Sequence, residues 1–182
     1  GSSVKVYVSK LEIGPKGPFI MLSRSHYGFV KRLLEIEIPE LSDGTIMLYS
    51  VARDAGNRSK IAVYTEYTNV DPIGAVIGEK GRRIANVLKE LSGEKIDVIL
   101  YDKDPVKFIA NALSPAKDVK VSIKDETKKE ALALVNDKNL SLAIGKKGQN
   151  VKLASRLTHY KIEVKPEEQE NTETTEETSV EE

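Results

Sequence analysis

Two stretches of this 182-residue chain repeat one another, and no other feature limits its fold as much. The first, IGEKGRRIANVLKELSGEKIDV, begins at Ile77; the second, IGKKGQNVKLASRLTHYKIEV, begins at Ile144. Ile77, Gly78, Lys80 and Gly81 match Ile144, Gly145, Lys147 and Gly148, and Ile84 matches Val151. A one-residue deletion then brings Leu91, Lys95, Ile96 and Val98 onto Leu157, Lys161, Ile162 and Val164. Self-similarity of this kind marks one supersecondary unit used twice.

Hydrophobic spacing defines the unit. Phe29, Val30, Leu33 and Leu34 recur at helical intervals within Tyr27–Leu34. Thr45–Arg53 and Lys60–Glu66 alternate as strands around the turn-rich DAGNR. Pro39 and Gly44 close the first helical region, and Asp71 and Pro72 are placed to cap and start the next. Arg82–Leu91 carries Ile84, Val87, Leu88 and Leu91 on one helical face, and Lys95–Tyr101 reads as a strand. The same order follows: helix Pro105–Leu113, strands Val119–Ile123 and Ala131–Val135, helical turn Leu140–Ile144, helix Gln149–Leu157 and strand Lys161–Val164. The unit is helix–strand–strand–helix–helix–strand, of roughly sixty to seventy residues, a size suited to small domains. Ahead of it, Val4–Val8 and Phe19–Leu22 flank GPKGP as a hairpin, which two strands alone stabilise only marginally.

Charge is divided unevenly. Lys and Arg total 28, as do Asp and Glu. Eight of the Glu lie in residues 166–182, which hold no basic residue, so residues 1–165 carry a net +8. That last segment reads as a disordered acidic tail, and the basic body points to a polyanionic partner, for which the tail could compete. The chain has no Cys and two His, which removes disulfides and argues against a zinc centre. No apolar run approaches the ~18 residues of a membrane span, and a soluble cytoplasmic protein without membrane contact is the expectation.

Each Gly-x-Lys-Gly stands between a short helix and a long one. Two Gly allow a sharp turn and a close backbone approach, and the helix that follows directs its amides and positive dipole end into the same space. This is a phosphate-binding arrangement. Lys80, Arg82 and Arg83 add charge to the first loop and Lys146 and Lys147 to the second, while Glu79 makes the first less electropositive.

With these loops and this order of elements, the chain resembles the KH family of single-strand RNA-binding domains, whose GXXG loop clamps backbone nucleotides. The order is similar to that of type II KH domains. LSRSHYGFVKRLLEIEIPEL (from Leu22), SVARDAGNRSKIAVYT (from Ser50), FIANALSPAK (from Phe108) and LSLAIGKKGQNVKLASRLT (from Leu140) resemble the NusA family of bacterial transcription factors. The likeness runs from about residue 4 to 165; His159-Tyr160 stands where that family usually has Gly-Trp. It implies an α+β chain with a remnant of an OB-type domain over 1–25, a first KH domain over 26–102, a second over 103–165 and the tail over 166–182. It further implies binding of nascent single-stranded RNA and contact with RNA polymerase in elongation, pausing, termination and antitermination. Other antitermination factors and ribosomal proteins are possible partners. RNA contacts would centre on Gly78, Glu79, Lys80, Gly81, Arg82 and Arg83, and on Gly145, Lys146, Lys147, Gly148, Gln149, Asn150 and Lys152. Arg53, Arg58 and Lys60 flank the first repeat's hairpin, either as further contacts or as a solvated strand edge. Phe108–Lys117 is expected to pack the two domains into one rigid unit.

Enzymatic readings fit poorly, and neither a cofactor nor a catalytic residue is expected. GAVIGEKG lacks the spacing of a Walker loop, and Val76 stands where a dinucleotide-binding fingerprint needs its first Gly. Ser23, Ser25 and His26 suit capping better than catalysis, and Asp97, Asp102 and Asp104 suit solvated positions better than a metal. An RNA-processing or ribosome-associated KH protein, or a protein–protein scaffold on the same fold, is the alternative.

Overall fold

Residues 1–167 are the part of the chain that the computed structural model describes. They open with β1 (Tyr7–Gly14) and β2 (Gly17–Ser23), an antiparallel hairpin pairing Tyr7 with Ser23 and Gly14 with Gly17. It leaves Val8, Leu11, Ile13, Phe19, Ile20 and Leu22 exposed. Arg24 anchors it, donating to the carbonyls of Lys5 and, at 2.8 Å, Glu90.

Helix α1 (Tyr27–Glu37) starts at His26, whose Nδ1 accepts from the Gly28 N–H at 3.0 Å. The capping role expected near Ser23 and His26 is the one seen, since Ser23 Oγ also accepts from the Ser25 and His26 amides. Helix α1 ends before Pro39 as expected, with Ile38 extended as its cap, but Pro39 does not lead into a loop. It is the first residue of a short helix, α2 (Pro39–Ser42), a position where a missing N–H costs nothing. There follow β3 (Met47–Asp54), β4 (Arg58–Tyr64), α3 (Pro72–Ile77), α4 (Arg82–Glu90) and β5 (Lys95–Leu100). The second module repeats the order with α5 (Pro105–Ala112), β6 (Lys120–Asp125), β7 (Glu130–Val135), α6 (Asp137–Ile144), α7 (Gln149–Thr158) and β8 (Lys161–Pro166). Each module has a three-stranded sheet whose central strand pairs antiparallel on one side and parallel on the other.

Strand β8 runs past the expected start of the tail. Pro166 pairs with Val135, and the Glu167 N–H donates to the Val135 carbonyl at 2.8 Å. The remainder of that expectation, residues 168–182, lies outside the described residues.

The two-residue period of a strand explains how the modules join. In β4, Ile61 and Val63 face the core formed with Leu34, Val76 and Val87 of the same module. Ala62 faces the other way, with Ala52 and Ile99, into a core completed by Phe108, Ile109, Leu153 and Leu157 of the second module. The small Ala side chains leave room for α7 against the sheet. Polar bonds close the seam: Ser50 Oγ donates to the Leu157 carbonyl at 2.7 Å and Lys60 Nζ to the Ser114 carbonyl at 2.7 Å. Phe108, Ile109, Ala112 and Leu113 are buried, so the stretch expected to pack the modules together does so, with α7 as a second contributor. No helix among the described residues is long and apolar enough to cross a membrane.

Candidate nucleic-acid interface

The repeat extends to backbone angles. Gly78, Lys80 and Gly81 have φ/ψ of 75/170, 52/26 and 75/15°. Gly145, Lys147 and Gly148 have 75/169, 54/26 and 73/15°. The first Gly of each loop occupies a region essentially closed to other residues, and the Lys sits in the left-handed region that β-carbons disfavour. Each loop is held by its own bond, Gly81 N–H to the Gly78 carbonyl and Gly148 N–H to the Gly145 carbonyl, both 3.0 Å.

The two long helices behind the loops begin without the side-chain cap that four of the others have, a lack shared by the four-residue α2. His26, Asp71, Asp104 and Asn136 cap α1, α3, α5 and α6 through their side chains. Helices α4 and α7 start at Gly81 and Gly148 with no side-chain cap. The Arg82 and Gln149 amides donate to the Glu79 and Lys146 carbonyls, which leaves the following first-turn amides and the positive dipole ends without a side-chain cap and able to meet an external anion. Around them, Lys80 and Arg82 are exposed in the first loop, beside Glu79, and Lys146, Lys147 and Lys152 in the second.

Two residues expected to touch RNA brace the loops instead. Arg83 turns inward, its Nη1 donating to Glu40 at 2.9 Å and to the Ala75 carbonyl at 2.8 Å. Asn150, at the matching position, is buried and donates from Nδ2 to the carbonyls of Leu113 and Ala143, both at 3.0 Å. Gln149 Nε2 donates to Asp54 at 2.7 Å, tying the second loop to the first module.

Arg53, Arg58 and Lys60 form neither the exposed strand edge nor the open contact surface expected of them. Arg53 is 5% exposed and paired with Glu94 at 2.9 Å. Lys60 is fully buried and donates to Asp97 at 2.9 Å, and the half-buried Arg58 pairs with the same carboxylate at 2.7 Å. The seam covers the face of β4 that carries Lys60, whereas Arg53 lies on the other face, held by Glu94 and by the His26 carbonyl at the start of α1. Asp97 is thus an ion-pair partner, while Asp104 caps α5 and Asp102 accepts from the Asp104 N–H. Among the described residues no cluster could hold a metal ion.

These carboxylates carry a pH dependence. Burial alone would raise the Glu94 carboxyl, but bonds from Arg53, Ser59 Oγ and the Gly56 N–H outweigh it and hold it below its usual range. Asp97 is lowered likewise, burial being outweighed by Arg58 and Lys60. Both groups bind protons more weakly folded than unfolded, so their stabilisation is complete above the ordinary carboxylate range and disappears as pH falls through the lowered values. The thermal midpoint should stay level from about pH 7 to 5 and fall steeply below about pH 4. A midpoint maintained at about pH 3 would contradict this assignment.

Comparison with known proteins places this geometry. The model of the NusA-like first KH domain matches residues 24–101, and that of the NusA-like second KH domain matches residues 105–172. The chain is 53% identical over 164 residues to the transcription termination/antitermination protein NusA of Halalkalibacterium halodurans, covering 90% of this chain and 43% of that protein. It is 52% identical over 164 residues to the Bacillus subtilis protein of that name, covering 90% and 44%. The Thermus thermophilus protein is 48% identical over 162 residues, covering 89% and 42%. The chain thus spans less than half the length of these curated relatives. The crystal structure of APE1850 superposes with a TM-score of 0.53 at 24% identity, over 75% of this chain and 96% of that one, a likeness of fold. Two family models in the order first and second, on the two halves that the repeat and the sheets delimit, identify the chain as a NusA-like tandem of KH domains preceded by a β-hairpin.

Proposed function

We propose that the chain binds single-stranded RNA across both modules, each Gly-x-Lys-Gly loop holding backbone phosphates. The observation that carries this is the conjunction, twice in one chain, of the same Gly-restricted backbone with an uncapped helix start. Lys80 and Arg82 at the first loop, and Lys146 and Lys147 at the second, supply the charge. Two linked sites bind one strand with an effective concentration set by their separation, and the shared core fixes that separation. The relatives are transcription termination/antitermination proteins by name. The RNA is accordingly the nascent transcript, and the setting is RNA polymerase in elongation, pausing, termination and antitermination, with other antitermination factors and ribosomal proteins as possible neighbours.

The test is anisotropy titration of short single-stranded RNAs against the wild type and Lys80→Asp/Lys146→Asp/Lys147→Asp, with circular dichroism confirming that both are folded. Reversing three phosphate-facing charges should weaken binding at least about 100-fold. Equal binding by the two proteins would move the RNA site elsewhere.

A further inference from the structure

The turn joining β3 to β4 and the first turns of α7 enclose a cleft of about 500 Å³. Asp54 and Asn57 of the first module form one wall, and Lys146, Lys147, Lys152 and Arg156 of the second form the other. Four cations face one carboxylate, and that carboxylate already accepts from Gln149 at 2.7 Å. Arg53, Arg58, Lys60 and Arg83 have each found a carboxylate within the fold. None of the four cations in the cleft has an ion pair or hydrogen bond among the described residues. Gathering unpaired like charges around one concavity is unfavourable in isolation and becomes favourable when an anion fills it.

Lys152 and Arg156 lie four residues apart on α7, hence on one side and about 6 Å apart along the axis. That spacing suits successive phosphates of an extended strand. The cleft has the volume of a site for a small ligand of roughly nucleotide size. In the first repeat Ala85 stands at the position of Lys152 and Lys89 at that of Arg156, so the pair of cations is particular to the second.

We infer that this cleft is a further phosphate-binding subsite, which takes the backbone of single-stranded RNA where the strand leaves the Lys146–Gly148 loop towards the first module. The inference rests on the reading of the loops given above. Lys152 and Arg156 hold one phosphate each, and the β3–β4 turn confines the strand from the other side. A strand long enough to enter the cleft gains contacts that a strand ending at the loop does not.

The experiment uses the full chain and single-stranded RNAs of graded length, titrated at several salt concentrations. Lys152→Ala/Arg156→Ala should weaken binding of a long RNA about 10- to 100-fold and make the salt slope shallower by about 1.4, two phosphates at roughly 0.7 each. Because the chain has no Cys, Asn57→Cys carrying a photocrosslinker gives an independent readout. It should crosslink to a long RNA, and the Lys152→Ala/Arg156→Ala changes should abolish the crosslink. If that double variant keeps the wild-type affinity and slope, and no crosslink forms, while the Lys146→Asp/Lys147→Asp loop variant loses binding, the cleft is no subsite and the loops stand. Failure of the wild type to bind any RNA would overturn both readings.

Discussion

Replacing Glu94 with Ala is expected to lower the stability of the chain by about 3–5 kcal/mol, the range for breaking a buried ion pair from one side. Glu94 is 2% exposed and accepts from Arg53 Nε and Nη2, Ser59 Oγ and the Gly56 N–H. Without it, the Arg53 guanidinium keeps its bond to the His26 carbonyl at 2.8 Å but loses its counter-charge in a place water does not reach. The carboxylate also joins the start of α1, the β3–β4 turn and the start of β5, so its loss loosens three elements. For a chain of this length the midpoint should fall by roughly 6–20 °C. Glu94→Gln keeps the shape and some of the bonds, and should cost less. A loss below about 1 kcal/mol for Glu94→Ala would equate the pair with a solvent-exposed one.

The second large effect is expected at Gly145. A Cβ there would stand 2.7 Å from Asn150 Cβ and 2.8 Å from Asn150 N. The obstruction is partly backbone, and Asn150 is fixed by two buried bonds. The conformation itself costs a non-glycine residue about 1–3 kcal/mol, and displacing the first turn of α7 adds to that. Gly145→Ala should therefore destabilise the second module and remove RNA binding by its loop. At Gly78 the obstruction is the Arg83 side chain, with Cγ at 2.7 Å, so the change should be milder. Gly148→Ala meets only Lys152 Cε at 3.8 Å, leaving about 1–2 kcal/mol of left-handed strain. Chemical denaturation of the three variants should rank them Gly145, Gly78, Gly148, and an equal loss at Gly145 and Gly148 would contradict the steric argument.

Elements written locally in the chain were legible, and those depending on what covers them were not. Asp71-Pro72 announced α3, the spacing of Ile84, Val87, Leu88 and Leu91 announced α4, and the repeated Gly-x-Lys-Gly announced both loops. Helix α6 begins three residues earlier than its apolar residues indicate, because the Asn136 cap fixes its start. Lys60 reads from sequence as a charged strand residue facing water. Its burial follows from α5 and α7 of the other module, and its partner Asp97 lies on a different strand. Arg83 and Asn150 have the composition of RNA contacts, yet both point into the fold, a direction set by helix phase and by Glu40, Leu113 and Ala143. Arg156 lies outside the loop motif that marks the site in the sequence, although its four-residue spacing from Lys152 on a helix places the two together. His159 holds a left-handed conformation, φ 60°, at the end of α7, a position that favours Gly.

The most direct test of the central claim, that the two loops clamp the phosphates of one RNA strand, is the salt dependence of RNA affinity. The wild type and Lys80→Asp/Lys146→Asp/Lys147→Asp are titrated with one single-stranded RNA at low and at moderate salt. Each phosphate neutralised on a single strand contributes a slope of about −0.7 in log affinity against log salt. The wild type should show a steep negative slope, and the variant weaker binding with a slope shallower by about 2. Wild-type affinity that is the same at both salt concentrations would contradict a phosphate clamp.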